Sequence, residues 1–134
     1  MKIYWEYRNG VLVKSFINKL ANEIEADNMD DVVPKGNDGV RIKTQEEKLQ
    51  ELKEQKLAEL KQNYASAATQ TDARFSQYNK RKELGILNED DEADYQEALD
   101  YYKKITEQYR QKKAELEQIS DIEQLQSFDT SIIG

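Results

Sequence analysis

The longest pattern in the chain is a polar stretch, residues 44–120, in which apolar residues recur every three or four positions. Such spacing places them on one face of a helix. Gly85 interrupts the pattern, and glycine commonly follows a helix because it adopts positive φ without a steric clash. Asn88 and the acidic residues after it resemble the first turn of a second helix. The stretch therefore predicts a helical hairpin with antiparallel helices at about 44–84 and 89–119.

The second predicted helix has the more regular pattern, because its seam residues alternate steps of three and four without a break. They are Tyr95, Ala98, Tyr102, Ile105, Tyr109, Lys112, Leu116 and Ile119. This is a heptad seam of the kind that packs against another helix. We expect the tyrosine rings to pack in the seam with their hydroxyls at its wet edge, and Lys112 to reach solvent or fix the register. Two lone helices bury one seam, so we expect self-association or docking on something larger.

The N-terminal residues predict a β-hairpin, because Asn9-Gly10 lies between two strand-like runs and suits a type I′ turn. A two-residue turn fixes the register. It pairs Arg8 with Val11, Tyr7 with Leu12, Trp5 with Lys14 and Ile3 with Phe16. The apolar members of these pairs, apart from Val11, then share one face. An isolated hairpin is marginal, so a third strand or an outside partner is expected to cover that face.

The segments around these two units have weaker patterns. Residues 18–26 allow one or two helical turns, and Val32-Val33-Pro34 is expected to be extended. Asn37-Asp38-Gly39 is a turn signal that leads into Val40-Arg41-Ile42, a candidate third strand. Ser120-Asp121-Ile122-Glu123 has the form of a capping box and predicts a short helix to about residue 128. The residues after it are of the kind that is normally frayed.

The predicted fold is therefore α+β and mainly α. Residues 1–43 would form a small β-rich docking unit, with an N-terminal β-hairpin that a third strand could extend. Residues 44–120 would form the long antiparallel helical hairpin, and residues 121–134 a short C-terminal helix and tail.

Composition narrows the classes of function. Of the 134 residues 37% are hydrophobic and 35% charged, which is typical of long exposed helices and disfavours a deep enzyme pocket. The net charge of −7 disfavours binding to nucleic acid or to anionic membranes. With no cysteine and no histidine, the chain has no thiol chemistry, no disulfide, no classical zinc site and no histidine-based triad. The carboxylates at 89–94 lack the spacing of an EF-hand and are expected to cap a helix.

Several stretches resemble small tailed-bacteriophage proteins of the tail-fibre-assembly and tail-associated kind. They are residues 1–4 (MKIY) with Asn9-Gly10, 33–36 (VPKG), 48–60 (KLQELKEQKLAEL), 84–87 (LGIL) leading into 94–99 (DYQEAL), and 119–125 (ISDIEQL). The resemblance implies no catalytic residues. The tryptophan-proline ending of many assembly proteins is absent, which favours a particle component over a chaperone.

We therefore expect a non-enzymatic interaction protein that docks on a phage tail or fibre component, in the virion or the host cytoplasm, without secretion by a signal peptide. No cofactor, metal, nucleic acid or membrane is expected as a ligand, and homo-oligomerisation is left open. The predicted partner interface consists of Trp5, Tyr7, Phe16, Tyr102, Ile105, Tyr109 and Leu116. The alternatives are a transient fibre-assembly chaperone and an acidic inhibitor of a host enzyme.

Overall fold

The computed structural model describes residues 1–17, 22–36 and 39–133. The chain forms two compact units, Met1–Lys48 and Leu49–Gly134. The first contains two small antiparallel sheets and the second contains most of the helical residues. The predicted fold class, α+β and mainly α, is confirmed.

The β unit begins with the predicted β-hairpin, formed by β1 (Lys2–Arg8) and β2 (Val11–Ser15). Asn9 and Gly10 both have positive φ, at 52° and 78°, as a type I′ turn requires. The three predicted pairs nearest the turn are confirmed: Arg8 with Val11, Tyr7 with Leu12 and Trp5 with Lys14. The pairing ends one residue before the fourth predicted pair, Ile3 with Phe16, because β2 ends at Ser15, which pairs with Tyr4. On the other side of β1, Ile3 pairs with Ile24.

Ile24 belongs to the third strand, β3 (Asn22–Glu25), which completes a sheet of order β2-β1-β3. The helical turns that residues 18–26 allow are not formed at 22–25, which are a strand, and residues 18–21 lie outside the described residues. Ile24 lies between two glutamates, so the segment alternates as a half-buried strand does. Pairing with β1, which is distant in sequence, decides its conformation.

The predicted third strand, Val40-Arg41-Ile42, lies in a different sheet. It is part of β5 (Gly39–Ile42), which pairs with β4 (Val32–Lys35) to form a separate two-stranded sheet. The predicted extended conformation of Val32-Val33-Pro34 is confirmed. Of the predicted turn 37–39, the first two residues lie outside the described part of the chain, and Gly39 begins β5.

The core of the β unit lies at the meeting of these strands. Its buried members are Ile3, Ala26 and Val32, and partly buried side chains pack around them: Ile24, Met29, Val40 and Ile42. Residues of both sheets therefore contribute to one small core. A single 3-10 turn, Met29–Asp31, connects β3 to β4 and is capped by the side chain of Asn28.

The first helix, α1 (Gln45–Glu83), begins with a capping box between Thr44 and Glu47. The Thr44 hydroxyl accepts from the Glu47 amide at 3.2 Å, and the Glu47 carboxylate accepts from the Thr44 amide at 3.2 Å. The same carboxylate pairs with both terminal nitrogens of Arg41 in β5, at 2.6 and 3.0 Å. The guanidinium is the main reason that the pKa of Glu47 falls to about 2.

The helical hairpin turns at Gly85, where φ is 68° and the amide donates to the Lys82 carbonyl at 3.1 Å. The second helix, α2 (Glu89–Gln118), starts with a capping box between Asn88 and Asp91. Arg81 forms an ion pair with Asp91 close to the turn. At the other end Lys53 Nζ donates to the Glu117 carbonyl at 3.2 Å. These two contacts place α1 and α2 antiparallel along their length, as predicted.

The third helix, α3 (Ile122–Gln126), is shorter than the predicted one. Asp121 rather than Ser120 caps it, because the Asp121 side chain accepts from the Glu123 amide. Leu125 is fully buried. The burial of Leu125 anchors α3 and so fixes the position at which residues 127–133 begin.

Candidate protein-interaction site

Six aromatic rings form a continuous row along the helical hairpin, which we call the aromatic ladder. Its members, in order of contact, are Tyr109, Tyr64, Tyr102, Phe75, Tyr95 and Tyr78. The two end pairs are stacked, with ring centroids 4.7 Å apart at one end and 3.9 Å at the other. The rings between them meet at 5.7–6.5 Å, mostly edge to face. The four contacts at 4.7–6.5 Å lie within the separations that aromatic pairs favour, and the Tyr78–Tyr95 stack is closer than that range.

The spacing of residues explains why these rings line up. On α2 the three tyrosines are seven residues apart, so they recur on one edge of the seam. A line of smaller buried residues runs beside them and closes the centre of the seam. It consists of Leu60, Ala67 and Thr71 on α1, and Ala98, Ile105 and Leu116 on α2. The ladder therefore borders the buried centre instead of occupying it.

The ladder is only partly covered by the helical unit itself. Tyr102 is 40% exposed, the neighbouring Leu99 is 37% exposed, and the other five rings are half-buried. The Tyr64 hydroxyl lies 2.8 Å from the Thr106 hydroxyl, and the Tyr78 hydroxyl donates to the Glu92 carboxylate at 3.2 Å. These two hydroxyls of α1 lie at the edge of the seam. The same arrangement is the one predicted for the tyrosines of α2, and for their hydroxyls it stays a prediction.

Two tyrosines of the ladder, Tyr78 and Tyr102, have raised pKa values, so their hydroxyls are neutral at neutral pH. Burial, followed by the Glu92 carboxylate, raises the pKa of Tyr78. The neighbouring Tyr64 hydroxyl is the main reason that the pKa of Tyr102 is raised. These phenols therefore offer neutral hydroxyl groups and ring surface, which suits protein contact.

The predicted interface residues of α2 divide into two groups. Tyr102 and Tyr109 belong to the ladder and have accessible surface. Ile105 is fully buried and Leu116 is 2% exposed, so neither offers surface to a partner. Their inclusion in the interface is corrected for a physical reason: their seam positions face α1 of the same chain. Tyr64, Phe75 and Tyr78 on α1 complete the ladder without having been predicted as interface residues, and their aromatic character was the available signal.

The predicted interface residues of the β unit are also unequal in exposure. The Trp5 and Tyr7 rings meet edge to face at 6.0 Å and are half-buried. The Tyr7 hydroxyl donates to the Gly39 carbonyl at 3.0 Å, so it is engaged within the unit. Phe16 is 48% exposed and the adjacent Ile17 is 88% exposed. The freely accessible member of this predicted surface is therefore Phe16, and the exposed Ile17, which was not predicted, lies beside it.

On the opposite edge of the seam, residues 129–133 lie between the two helices; we call them the tail segment. Asn63 Nδ2 on α1 donates to the Thr130 carbonyl at 2.8 Å. On α2, Gln108 Oε1 accepts from the Ile133 amide at 2.8 Å, and Lys112 Nζ donates to the Ser131 carbonyl. The expectation of a frayed tail is therefore wrong for these residues. The Lys112 side chain is 17% exposed, and its ammonium contacts the tail instead of reaching bulk solvent.

The acidic start of α2 acts as a helix cap, as expected. Asp91 is 8% exposed, accepts from the Asn88 amide at 3.0 Å and pairs with Arg81. Among residues 1–17, 22–36 and 39–133, no group of three or more acidic side chains is placed to hold a metal ion. Within the same described ranges, no helix combines the length and apolar character needed to cross a membrane.

Comparisons with protein-family models, with curated proteins and with solved structures give no match to this chain. The resemblance to tail-associated phage proteins stays a prediction. The aromatic ladder, the Phe16–Ile17 surface and the tail segment are the features from which a function can be inferred.

Proposed function

We propose that this chain is a non-enzymatic interaction protein that binds a partner protein through the aromatic ladder. We further propose that the partner is a tail or fibre component of a bacteriophage or phage-like particle. The observation that carries the first proposal is the row of ordered, partly exposed rings with Tyr102 at its centre, 40% exposed. The choice of partner is supported by the resemblance of residues along most of the chain to tail-associated proteins.

The ladder has the physical properties of a binding hot spot. Aromatic side chains are enriched among the residues that dominate binding energy. Ring contacts on both sides of Tyr102, to Tyr64 and to Phe75, restrict its rotamers before any partner arrives. Ordering the side chain on binding therefore costs less entropy than ordering a free one.

Charges of both signs lie at the margin of the ladder. Asp72 on α1 and Arg110 on α2 are near enough to Tyr102 to act on its pKa in opposite directions. A charged rim contributes more to orientation and to partner choice than to affinity. We therefore expect a partner surface with an apolar pocket for Tyr102 and complementary charges at its edge.

The β unit provides a second contact under this proposal. Phe16 and Ile17 are exposed next to each other, whereas Trp5 and Tyr7 are partly covered within the unit. Phe16→Ser is therefore expected to weaken binding more than Trp5→Ser does, provided that amide nuclear magnetic resonance spectra show that both variants keep the strands of the β unit. The reverse order would place the contact on the Trp5 side.

The main test compares Tyr102→Ala with Tyr101→Ala in titrations against purified tail and fibre proteins. Tyr101 is the adjacent tyrosine, but it faces the other edge, where its hydroxyl donates to Gln70 at 3.3 Å. A hot-spot ring is expected to cost about 2 kcal/mol or more, which is roughly a 30-fold loss of affinity. The Tyr101 variant should bind within about threefold of the unchanged chain, because a side chain outside an interface contributes little.

Circular dichroism must show that both variants keep their helical content. A folded Tyr102→Ala chain that binds as tightly as the unchanged chain would refute the role of the ladder. Mass spectrometry of purified particles then tests the choice of partner. A fixed copy number supports a structural component, whereas presence in the lysate alone favours the chaperone or, with a host enzyme bound, the inhibitor.

A further inference from the structure

We propose that the groove holding the tail segment is a peptide-binding site, and that it can take the tail segment of a second copy of this chain. The groove is defined by Asn63 on α1 and by Gln108 and Lys112 on α2. The structure contains its occupied form, with the chain's own residues 129–133 as the ligand. This inference is independent of the aromatic ladder and of any phage partner.

The groove recognises its ligand chiefly by the ligand's backbone. Asn63 Nδ2 donates to the Thr130 carbonyl at 2.8 Å, and Lys112 Nζ donates to the Ser131 carbonyl. Gln108 Oε1 accepts from the Ile133 amide at 2.8 Å. Both helices contribute, so the peptide bridges them. Main-chain hydrogen bonds of this kind supply affinity for an extended segment, while its side chains supply selectivity.

The side chains of the tail segment indicate which peptides fit. The Asp129 carboxylate lies 3.9 Å from Lys112 Nζ and accepts from the Ser131 amide and hydroxyl at 2.9 and 2.7 Å. The Thr130 hydroxyl is 3.3 Å from a carboxylate oxygen of Glu59 and donates to it. The ligand class is therefore an extended peptide with an acidic residue, two hydroxyl residues and then an aliphatic residue.

A second copy of the chain carries that peptide by definition, and its groove offers the same contacts. Exchange of two tail segments would therefore replace each contact with an identical one and give a two-fold dimer. The Phe128 amide, which bonds to the Leu125 carbonyl at 3.2 Å, marks the point where the tail leaves α3. Below roughly millimolar protein the chain's own tail wins, because tethering gives it an effective concentration of that order.

The groove and the ladder occupy opposite edges of the seam, so they can be tested separately. A helix turns by about 100° per residue, which places Tyr102 and Gln108 about 120° apart around α2. On α1 the adjacent residues Asn63 and Tyr64 divide in the same way, the first to the tail and the second to the ladder. Ile105, which is fully buried, lies between the two edges.

The test uses two full-length variants that remove the self-contact in complementary ways. Lys112→Glu leaves the tail intact but repels the carboxylate of its own Asp129. Asp129→Lys leaves the groove intact but repels its own Lys112. In a mixture the unchanged tail of the first variant fits the unchanged groove of the second, and the two reversed charges also attract each other.

Light scattering after gel filtration should show each variant alone as a monomer and the equimolar mixture as a dimer of twice the chain mass. A single chain with both reversals is the matched control, because it restores an attractive pair within the chain. It should stay monomeric and should not join either variant. A mixture that stays monomeric at concentrations approaching roughly 1 mM would overturn the proposal.

A peptide measurement keeps the proposal testable if one variant fails to fold. A labelled peptide with the sequence of residues 127–133 is titrated into the Asp129→Lys chain, whose groove is intact. It should bind at least tenfold more tightly than a peptide that carries Asp129→Lys. Equal binding of both peptides, or none, would contradict the assignment. Neither result depends on Tyr102→Ala, which is expected to leave the exchange unchanged.

Discussion

Replacement of Ile105 by alanine tests whether the helical hairpin is stabilised by packing within one chain. Ile105 is fully buried between α1 and α2. Deleting a buried isoleucine side chain down to alanine typically costs about 2–5 kcal/mol through lost burial and the cavity left behind. Alanine has the higher helix propensity, which offsets a few tenths of a kcal/mol. The expected net loss is therefore about 2–4 kcal/mol, a large part of the roughly 5–15 kcal/mol of a typical domain.

The assay is urea unfolding followed by far-ultraviolet circular dichroism, because helices dominate the signal. Leu99→Ala is the matched control on the same helix, since Leu99 is 37% exposed. Its expected loss is below about 1 kcal/mol, because a side chain with that exposure gains less from burial. The midpoint should fall for Ile105→Ala while the slope of the transition is kept.

Two results would refute this reasoning. Equal losses for the two variants would mean that Ile105 is no better buried than Leu99. A loss at Ile105 that shrinks or grows with protein concentration would mean that its side chain is covered by another chain. In that case the seam would be an interface between copies, and the description of α1 and α2 as a self-packed hairpin would fail.

Three further changes have defined outcomes. Arg41→Gln should raise the pKa of Glu47 from about 2 towards 4.5, as measured by nuclear magnetic resonance. Because the pKa of Glu47 is lower in the folded chain than in the unfolded one, the Arg41–Glu47 pair stabilises the fold above about pH 4.5. This stabilisation is lost as the pH falls towards 2. Asn88→Ala should cost about 1 kcal/mol in urea unfolding through loss of the α2 cap. Gly85→Ala should cost about 1–2 kcal/mol, because φ is 68° there, and Gly85→Asn should cost less in the same assay.

Local signals predicted the parts of the fold that depend on neighbours in sequence. Asn9-Gly10 determined the turn and the register beside it, because a two-residue turn leaves no freedom. Gly85 and Asn88 located the end of α1 and the start of α2, because glycine adopts positive φ after a helix and asparagine caps the first turn of the next one. These features use hydrogen bonds within a few residues, which a sequence displays directly.

The order of strands could not be predicted in this way. The segment with Ile24 has a single apolar residue between glutamates, which is compatible with a helical turn or a short strand. Its pairing with Ile3 depends on residues about twenty positions away. Val40-Arg41-Ile42 had the more obvious strand pattern, yet it pairs with Val32-Val33-Pro34, which is nearer in sequence. The free edge of β1 is therefore paired with β3 instead.

The candidate site was predicted in part for a similar reason. The heptad pattern identified the seam of α2 but treated all its positions alike. Only the partner helix decides that Ile105 lies at the centre and Tyr102 at the edge. The tail groove left almost no signal, because Asn63 and Gln108 are ordinary surface residues on a polar helix. Lys112 was the one irregularity, a charge at a seam position.

The two edges of the seam differ in the interactions that their side chains make, and this difference decides how firmly each edge can hold a ligand. On the tail edge, Asn63, Gln108 and Lys112 bond to backbone groups, and water can replace those bonds at small net cost. A ligand there can leave and be exchanged. On the ladder edge, ring surface such as that of Tyr102 gains stability only when a partner excludes water from it. If the proposed function holds, the ladder is therefore expected to form the lasting contact and the groove the exchangeable one.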